Sequence, residues 1–233
     1  MAIKIDCVSD LHGSYPVLYG GDLLIVAGDL TACDRLDQYA QFFEWLARQQ
    51  YEKKVVIGGN HDGYFTGVNP KEAAKELVGM GGYDFEYLCD SACQFEGYKI
   101  WGAPWTPIFY NWHFMLNRQD IAKKWALIPE DTDILITHGP PFGTLDTVSP
   151  GRTHRCGCEE LAIRLENLHS LKLHVFGHIH GGYGMKHDRY ANRGYISNER
   201  KCDSDQACGH ISVNCAHMDE DYNPRNPPIT VVM

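Results

Sequence analysis

The chain has 233 residues, 44% hydrophobic and 22% charged, and its 30 acidic against 21 basic side chains leave a formal charge of −9. This is the composition of a folded globular protein rather than a disordered or fibrous one, long enough to bury roughly 70–75% of its unfolded surface. No stretch approaches the roughly 18 consecutive apolar residues of a membrane-spanning helix, and no run of lysine and arginine offers the basic stripe that grips a nucleic-acid backbone.

Ile3–Val8 and Leu23–Ala27 are short runs of branched apolar residues, each closed by a polar or glycine signal, and predict buried strands. The first starts almost at once, without the apolar run and small-residue cleavage site of a signal peptide, so a cytoplasmic location is expected. Leu36 to Arg48 sets Leu36, Tyr39, Phe42, Phe43 and Leu46 at helical spacing. Lys54–Ile57 predicts a strand stopped by Gly58 and Gly59, and Asn69-Pro70 opens a helix expected to reach Met80. Phe95, Tyr98, Ile100 and Trp101 predict a hairpin about Gly97. Ile134–Thr137 is a further strand, Glu159–Leu168 a helix, and Leu173–Phe176, Ile211–Asn214 and Ile229–Val232 are the later strands. Residues 184–209 mix glycine, charge and polar side chains without periodicity, which predicts an inserted surface loop. Strands alternate with helices and no repeat or linker intervenes, so the expectation is one α/β domain over residues 1–233.

Nine cysteines, at Cys7, Cys33, Cys89, Cys93, Cys156, Cys158, Cys202, Cys208 and Cys215, include no C-x2-C pair. Free thiols of a reducing compartment are expected. Cys202 and Cys208, both in the expected loop, could also hold zinc or close a small ring.

Five polar motifs each follow an apolar strand: Asp10-Leu11-His12, Gly28-Asp29, Gly59-Asn60-His61-Asp62, Thr137-His138-Gly139 and Gly177-His178-Ile179-His180. The carboxyl ends of strands are where ligand sites form in α/β sheets, so all five could converge. Imidazole mixed with carboxylate suits Mn, Fe, Zn, Co or Ni rather than Ca. Asp10, His12, Asp29, Asn60, His138, His178 and His180 offer seven ligands, more than one ion usually takes, which points to two ions sharing a bridging carboxylate. Two ions about 3.5–4 Å apart can clamp both oxygens of a phosphoryl displacement and supply hydroxide near neutral pH.

In this order, the motifs D-x-H, G-D, G-N-H-D, H and G-H-x-H resemble those of the calcineurin-like metallophosphoesterase superfamily. The likeness covers residues 1–182 and extends less firmly over 210–233. Ala103-Pro104-Trp105, Asn111-Trp112, Thr137-His138-Gly139-Pro140-Pro141 and Asn226-Pro227-Pro228-Ile229 are similar to the small metallophosphodiesterase-domain proteins within it. The resemblance implies a four-layer α/β/β/α sandwich of two mixed sheets flanked by helices, with metals above the sheets. It implies that Asp10, His12 and His180 bind one ion, that Asn60, His138 and His178 bind the other, and that Asp29 bridges them. His61 would be the non-ligand histidine that protonates the leaving oxygen, a task suited to imidazole. The protein-phosphatase branch carries G-D-x-x-D-R, whereas Ala32 and Cys33 stand at the corresponding positions here. That argues against a protein phosphatase and leaves the partner of His61 unidentified, with Asp62 adjacent to it.

The implied activity is a phosphodiesterase for small phosphodiesters, cyclic nucleotides included, with two divalent ions, manganese favoured. A nuclease or phosphomonoesterase of the same superfamily is the nearest alternative, and a metal-binding scaffold without turnover the alternative of another kind. The acidic charge speaks against a nucleic-acid substrate. Trp105, Tyr110 and Trp112 could stack on a base, although packing is the commoner fate of such residues. Arg152, His154 and Arg155 read as a phosphate grip or, more commonly, a solvated basic turn. His113, His169, His174 and His217 match no motif, and Asp146 is a weak candidate for supporting the site.

Overall fold

In the second predicted strand, Leu23, Ile25 and Ala27 point to one side and Leu24 and Val26 to the other, and all five are fully buried. A strand buried on both faces needs a layer on each, and this alternation generates the architecture. The computed structural model describes residues 2–79, 84–149, 154–189 and 209–233.

The elements run β1 (Lys4–Val8), β2 (Gly21–Ala27), α1 (Leu36–Ala47), β3 (Tyr51–Ile57), α2 (Pro70–Val78), β4 (Glu86–Tyr87), β5 (Ser91–Phe95) and β6 (Tyr98–Ala103). There follow β7 (Thr106–Pro107), β8 (Met115–Leu116), α3 (Arg118–Trp125), β9 (Ile134–Thr137), α4 (Glu159–Leu165), β10 (Leu173–Phe176), β11 (Gly184–Arg189), β12 (Gly209–Asn214) and β13 (Ile229–Val232). One sheet has the order β13-β1-β2-β3-β4, the other β11-β12-β10-β9-β6-β5. The inner strands are parallel, while β13, β5 and β11 run antiparallel at the edges.

Between the sheets Ile5, Ile25 and Ile57 meet Ile100, Ile136 and Val175. The outer face of the first sheet is covered by Tyr39, Phe42, Phe43 and Leu46 of α1 with Ala73 and Ala74 of α2. The outer face of the second is covered by Ile121 and Trp125 of α3 with Leu161 and Leu165 of α4. These layers are the four-layer α/β/β/α sandwich of two mixed sheets.

Element ends follow local chemistry. Asn69 caps α2 by accepting from Lys71 N at 2.9 Å, and Gly79 ends it with φ +67°. That is two residues short of the expected stop, and Met80 lies outside the described residues. Likewise α4 ends at Leu165, and Leu168 lies buried in the turn beyond it. The loop expected over residues 184–209 is corrected at its start. Gly184–Arg189 is a strand that pairs antiparallel with β12, from Gly184 against Asn214 to Arg189 against Gly209. It is an edge strand, its Met185, Lys186 and His187 facing solvent, so no apolar alternation marks it. Residues 190–208, with Cys202 and Cys208, lie outside the described residues. The other seven cysteines are free thiols.

Candidate metal centre

All five polar motifs sit at the carboxyl ends of parallel strands: β1, β2 and β3 of the first sheet, β9 and β10 of the second. The chain must turn sharply there to aim side chains at the gap between the sheets. Asp10, His12, Asp29 and His178 adopt φ of 51°, 44°, 51° and 64°, the left-handed region in which Asp, Asn and His are the commonest non-glycine residues. Gly177 is required for a different reason. A Cβ there would overlap the Asp10 carboxylate and Ser9, so only glycine lets β10 approach β1 this closely.

Three groups of side chains come together, each with ligand atoms within 4.8 Å of one another: Asp10, His12 and His180; Asp29, His138 and His178; and His12, Asp29 and His61. Asp29 faces both ways. Its Oδ2 lies 3.6 Å from His12 Nε2 and its Oδ1 3.3 Å from His138 Nε2. His180 Nε2 stands 3.3 Å from Asp10 Oδ1, and Asn60 Oδ1 is 2.9 Å from His138 Nε2. The carboxylates and His138 are almost wholly shielded from solvent.

The donor set fits metal ions. His138 Nδ1 donates to Ala27 O at 2.9 Å and His180 Nδ1 to Asp219 O at 3.0 Å, since a carbonyl can only accept. This fixes both rings with Nε2 turned inward, the orientation a ligand histidine takes from its outer hydrogen bond. Those inward nitrogens lie against carboxylate and amide oxygens, where a positive charge fits. Both ring nitrogens of His12 are buried and, among the described residues, have no hydrogen-bond partner, a need that coordination would meet.

The electrostatics agree. Burial alone would raise Asp10, yet His180 and His138 beside it bring it down to about 2. Burial also opposes ionisation of Asp29, and His138 and His12 overcome it, holding Asp29 well below the carboxylate range. Burial would lower His138, but the Asp29 charge and hydrogen bond raise it to about 9. His178 falls to about 4 through burial and the neighbouring His138.

Comparison with known proteins decides the family. A family model described as calcineurin-like phosphoesterase matches residues 3–182. Human metallophosphoesterase domain-containing protein 1 is 37% identical over 97% of this chain and 69% of its own length. A UPF0046 protein of Caenorhabditis elegans is 33% identical over 97% of this chain and 59% of its own. The chain belongs to the calcineurin-like phosphoesterase family. A solved structure, TT1561 of Thermus thermophilus, shares the fold with a TM-score of 0.56 over 99% of both chains, at 14% identity.

Membership of this metallophosphoesterase family gives the rest of the site its meaning. His61 donates from Nδ1 to Ala32 O at 2.7 Å, so the missing partner is a backbone carbonyl and not a carboxylate. Its backbone N–H donates to Asp29 Oδ1 at 2.8 Å. Asp62 points away from the centre. It accepts from Leu30 N, Thr31 N and Gly59 N at 2.8–3.1 Å and so clamps the Asp29 loop to the Asn60 loop. Burial and the nearby Asp29 charge push Asp62 up to about 7 against these donors.

Other candidates sort differently. Trp105 is a packing residue: its Nε1 donates to Asp90 at 2.7 Å, Lys124 lies over its ring, and it packs against Phe114. Tyr110 is exposed beside Phe109. Trp112 stacks on His61, at 4.2 Å between ring centroids. Arg155 pairs with buried Asp146 at 2.9 Å, and Asp146 also accepts from Gly143 N and Gly157 N. The basic turn is therefore structural at Arg155, His154 is exposed, and Arg152 lies outside the described residues. His113 and His174, matched to no motif, lie nearer the site than expected: His113 N donates to Asn60 O, and His174 Nε2 reaches Thr137 Oγ1 at 2.8 Å. Tyr222 is a residue that sequence reasoning misses, yet its ring lies 5.2 Å from that of His12 and 4.8 Å from that of His180. It belongs to an irregular polar turn with no motif to announce it. Among the described residues no helix is long and apolar enough to cross a membrane.

Proposed function

We propose that this family member is a dinuclear phosphodiesterase of the cytoplasm that hydrolyses small phosphodiesters, cyclic nucleotides among them, with manganese favoured over Fe, Zn, Ni and Co. One observation carries the reading: the two oxygens of Asp29 address two different histidines, His12 from its own sheet and His138 from the other. In this reading Asp10, His12 and His180 would hold one ion and Asn60, His138 and His178 the other, with Asp29 available to both. When bound, the pair supplies Lewis acidity and a hydroxide nucleophile near neutral pH.

The chain's own residues do the rest. Ala27 O and Asp219 O fix the planes of His138 and His180. Asp62 keeps the Asp29 and Asn60 loops in register. His61 donates from Nδ1 to Ala32 O, so the proton it delivers to the leaving oxygen comes from Nε2 of the imidazolium form. Two divalent ions bring four positive charges against two from Asp10 and Asp29, so a single phosphate is drawn in although the chain is acidic. A long polyanion gains less, because Arg155 and Arg225 are already paired with Asp146 and Asp219.

The test compares kcat/KM for a cyclic nucleotide, an aryl phosphodiester, an aryl phosphomonoester and single- and double-stranded DNA at one salt concentration, with the ions counted by elemental analysis. A small diester should be cleaved fastest, with two ions per chain. Faster cleavage of DNA, or of the monoester, would replace this reading by the nuclease or the phosphomonoesterase.

A further inference from the structure

We infer that Trp112 is a positioning residue for His61, supplying the orientation that, among the described residues, no carboxylate supplies. The inference rests on the reading of His61 as the proton donor. A hydrogen bond from Nδ1 to a carbonyl anchors one corner of the ring, but as a single point it leaves the ring free to swing about that contact. A donor that must place one proton on one oxygen needs its plane fixed as well. Ala32 and Cys33 cannot do this through their side chains, and the only bond from that loop to the ring is the 2.7 Å contact with Ala32 O.

Trp112 provides the second constraint. Its ring lies nearly parallel to that of His61, with centroids 4.2 Å apart and planes 29° apart. The His12 ring meets the same imidazole edge-on, 4.7 Å away at 85°. His61 is thus held by a point, a face and an edge. Trp112 is itself tied to the loop that carries His61. The adjoining His113 N donates to Asn60 O at 3.3 Å, one residue before His61. Phe114 is buried in the first-sheet core, and its carbonyl accepts from Thr106 N at 2.9 Å. The segment between β7 and β8 is thus bonded to the Asn60 loop, which sets the indole against the imidazole. Because one indole face is taken by His61, that face is not available to a substrate. The remaining surface, 44% exposed for the residue, is what a stacking role would have to use.

The two roles make opposite predictions in a double-mutant cycle. Trp112→Ala, Trp112→Phe, His61→Ala and the Trp112→Ala/His61→Ala pair are assayed on two phosphodiesters, one with an acidic nitrophenol leaving group and one with a poor alkyl leaving group. Metal content and Tm are measured for each variant. If Trp112 acts through His61, Trp112→Ala lowers kcat on the poor leaving group by about 10-fold or more, up to the roughly 10²–10⁴-fold that proton donation supplies. It affects the nitrophenyl ester far less, leaves KM and metal content unchanged, and is largely rescued by Trp112→Phe. In the His61→Ala background it then changes kcat by less than about twofold. A rise in KM that persists in that background would make Trp112 a substrate-stacking wall instead, and loss of metal would make it scaffold; either overturns the inference. If His61→Ala alone kept full activity on the poor leaving group, the proton-donor reading itself would fall and take this inference with it.

Discussion

The two sheets contribute unequally to the centre. The first sheet supplies Asp10, His12, Asp29, Asn60 and His61, all the carboxylates and the amide, while the second supplies only His138, His178 and His180. Their supports differ in the same sense. First-sheet loops brace one another: Asp62 gathers the N–H groups of Leu30, Thr31 and Gly59, and Thr31 Oγ1 donates to His61 O at 2.9 Å. Second-sheet histidines lean across the gap: His138 on Ala27 O, and His178 N on both oxygens of Asp10 at 3.0 and 2.9 Å. One half is self-supporting and the other is aimed by it. Damage to the first half should therefore spread to both ions, and damage to the second should stay with one.

Asp29→Asn tests that asymmetry most severely. With one oxygen toward His12 and the other toward His138, its loss should weaken both ions and lower kcat/KM on the order of 10³-fold or more. His178→Ala should lose one ion and retain the other. Elemental analysis of both proteins under saturating manganese decides; a His178→Ala protein stripped of both ions while Asp29→Asn kept one would reverse the comparison.

A smaller effect sharpens it through pH. His138 is raised from an ordinary 6.5 to about 9, after burial is outweighed by Asp29. A raised folded pKa means that protonation stabilises the fold. In chelator-treated protein that stability is complete below pH 6.5 and lost as pH rises through about 9. Since the proton occupies the nitrogen that would bind an ion, metal affinity should rise over the same window. Thermal unfolding of chelated protein between pH 6 and 10 should show Tm declining through that window; a flat profile would sink the claim that Asp29 polarises the second-sheet histidine.

The smallest effect is expected away from both halves. Trp105→Phe removes the 2.7 Å bond to Asp90, costing about 1 kcal/mol of stability, and should leave KM for every substrate unchanged. A raised KM would return Trp105 to the substrate-binding surface.

Much of this is legible in the sequence, for identifiable reasons. Strands buried on both faces read as unbroken apolar runs, and the motifs that follow them mark where the chain leaves the sheet. What escapes is whatever local pattern does not encode. The helix α3 presents only Ile121 and Trp125 inward from eight residues, too few for a period to show. The edge strand β11 is polar because solvent covers it. The support of His61 by Ala32 and Trp112 joins positions 29 and 51 residues away, and the approach of Tyr222 spans more than 200 residues from His12. Such juxtapositions are properties of the packed layers, not of any segment.

His12, whose two ring nitrogens lie buried with no hydrogen-bond partner among the described residues, has a consequence beyond chemistry. An ion that binds these nitrogens in the folded chain and not in the unfolded one would make the folded population subject to mass action. Each tenfold of free ion above its dissociation constant would add about 1.4 kcal/mol per site to the apparent stability. In ion-poor cells more chains would stand open to proteases, and the steady-state abundance of the protein would track the supply of its metal.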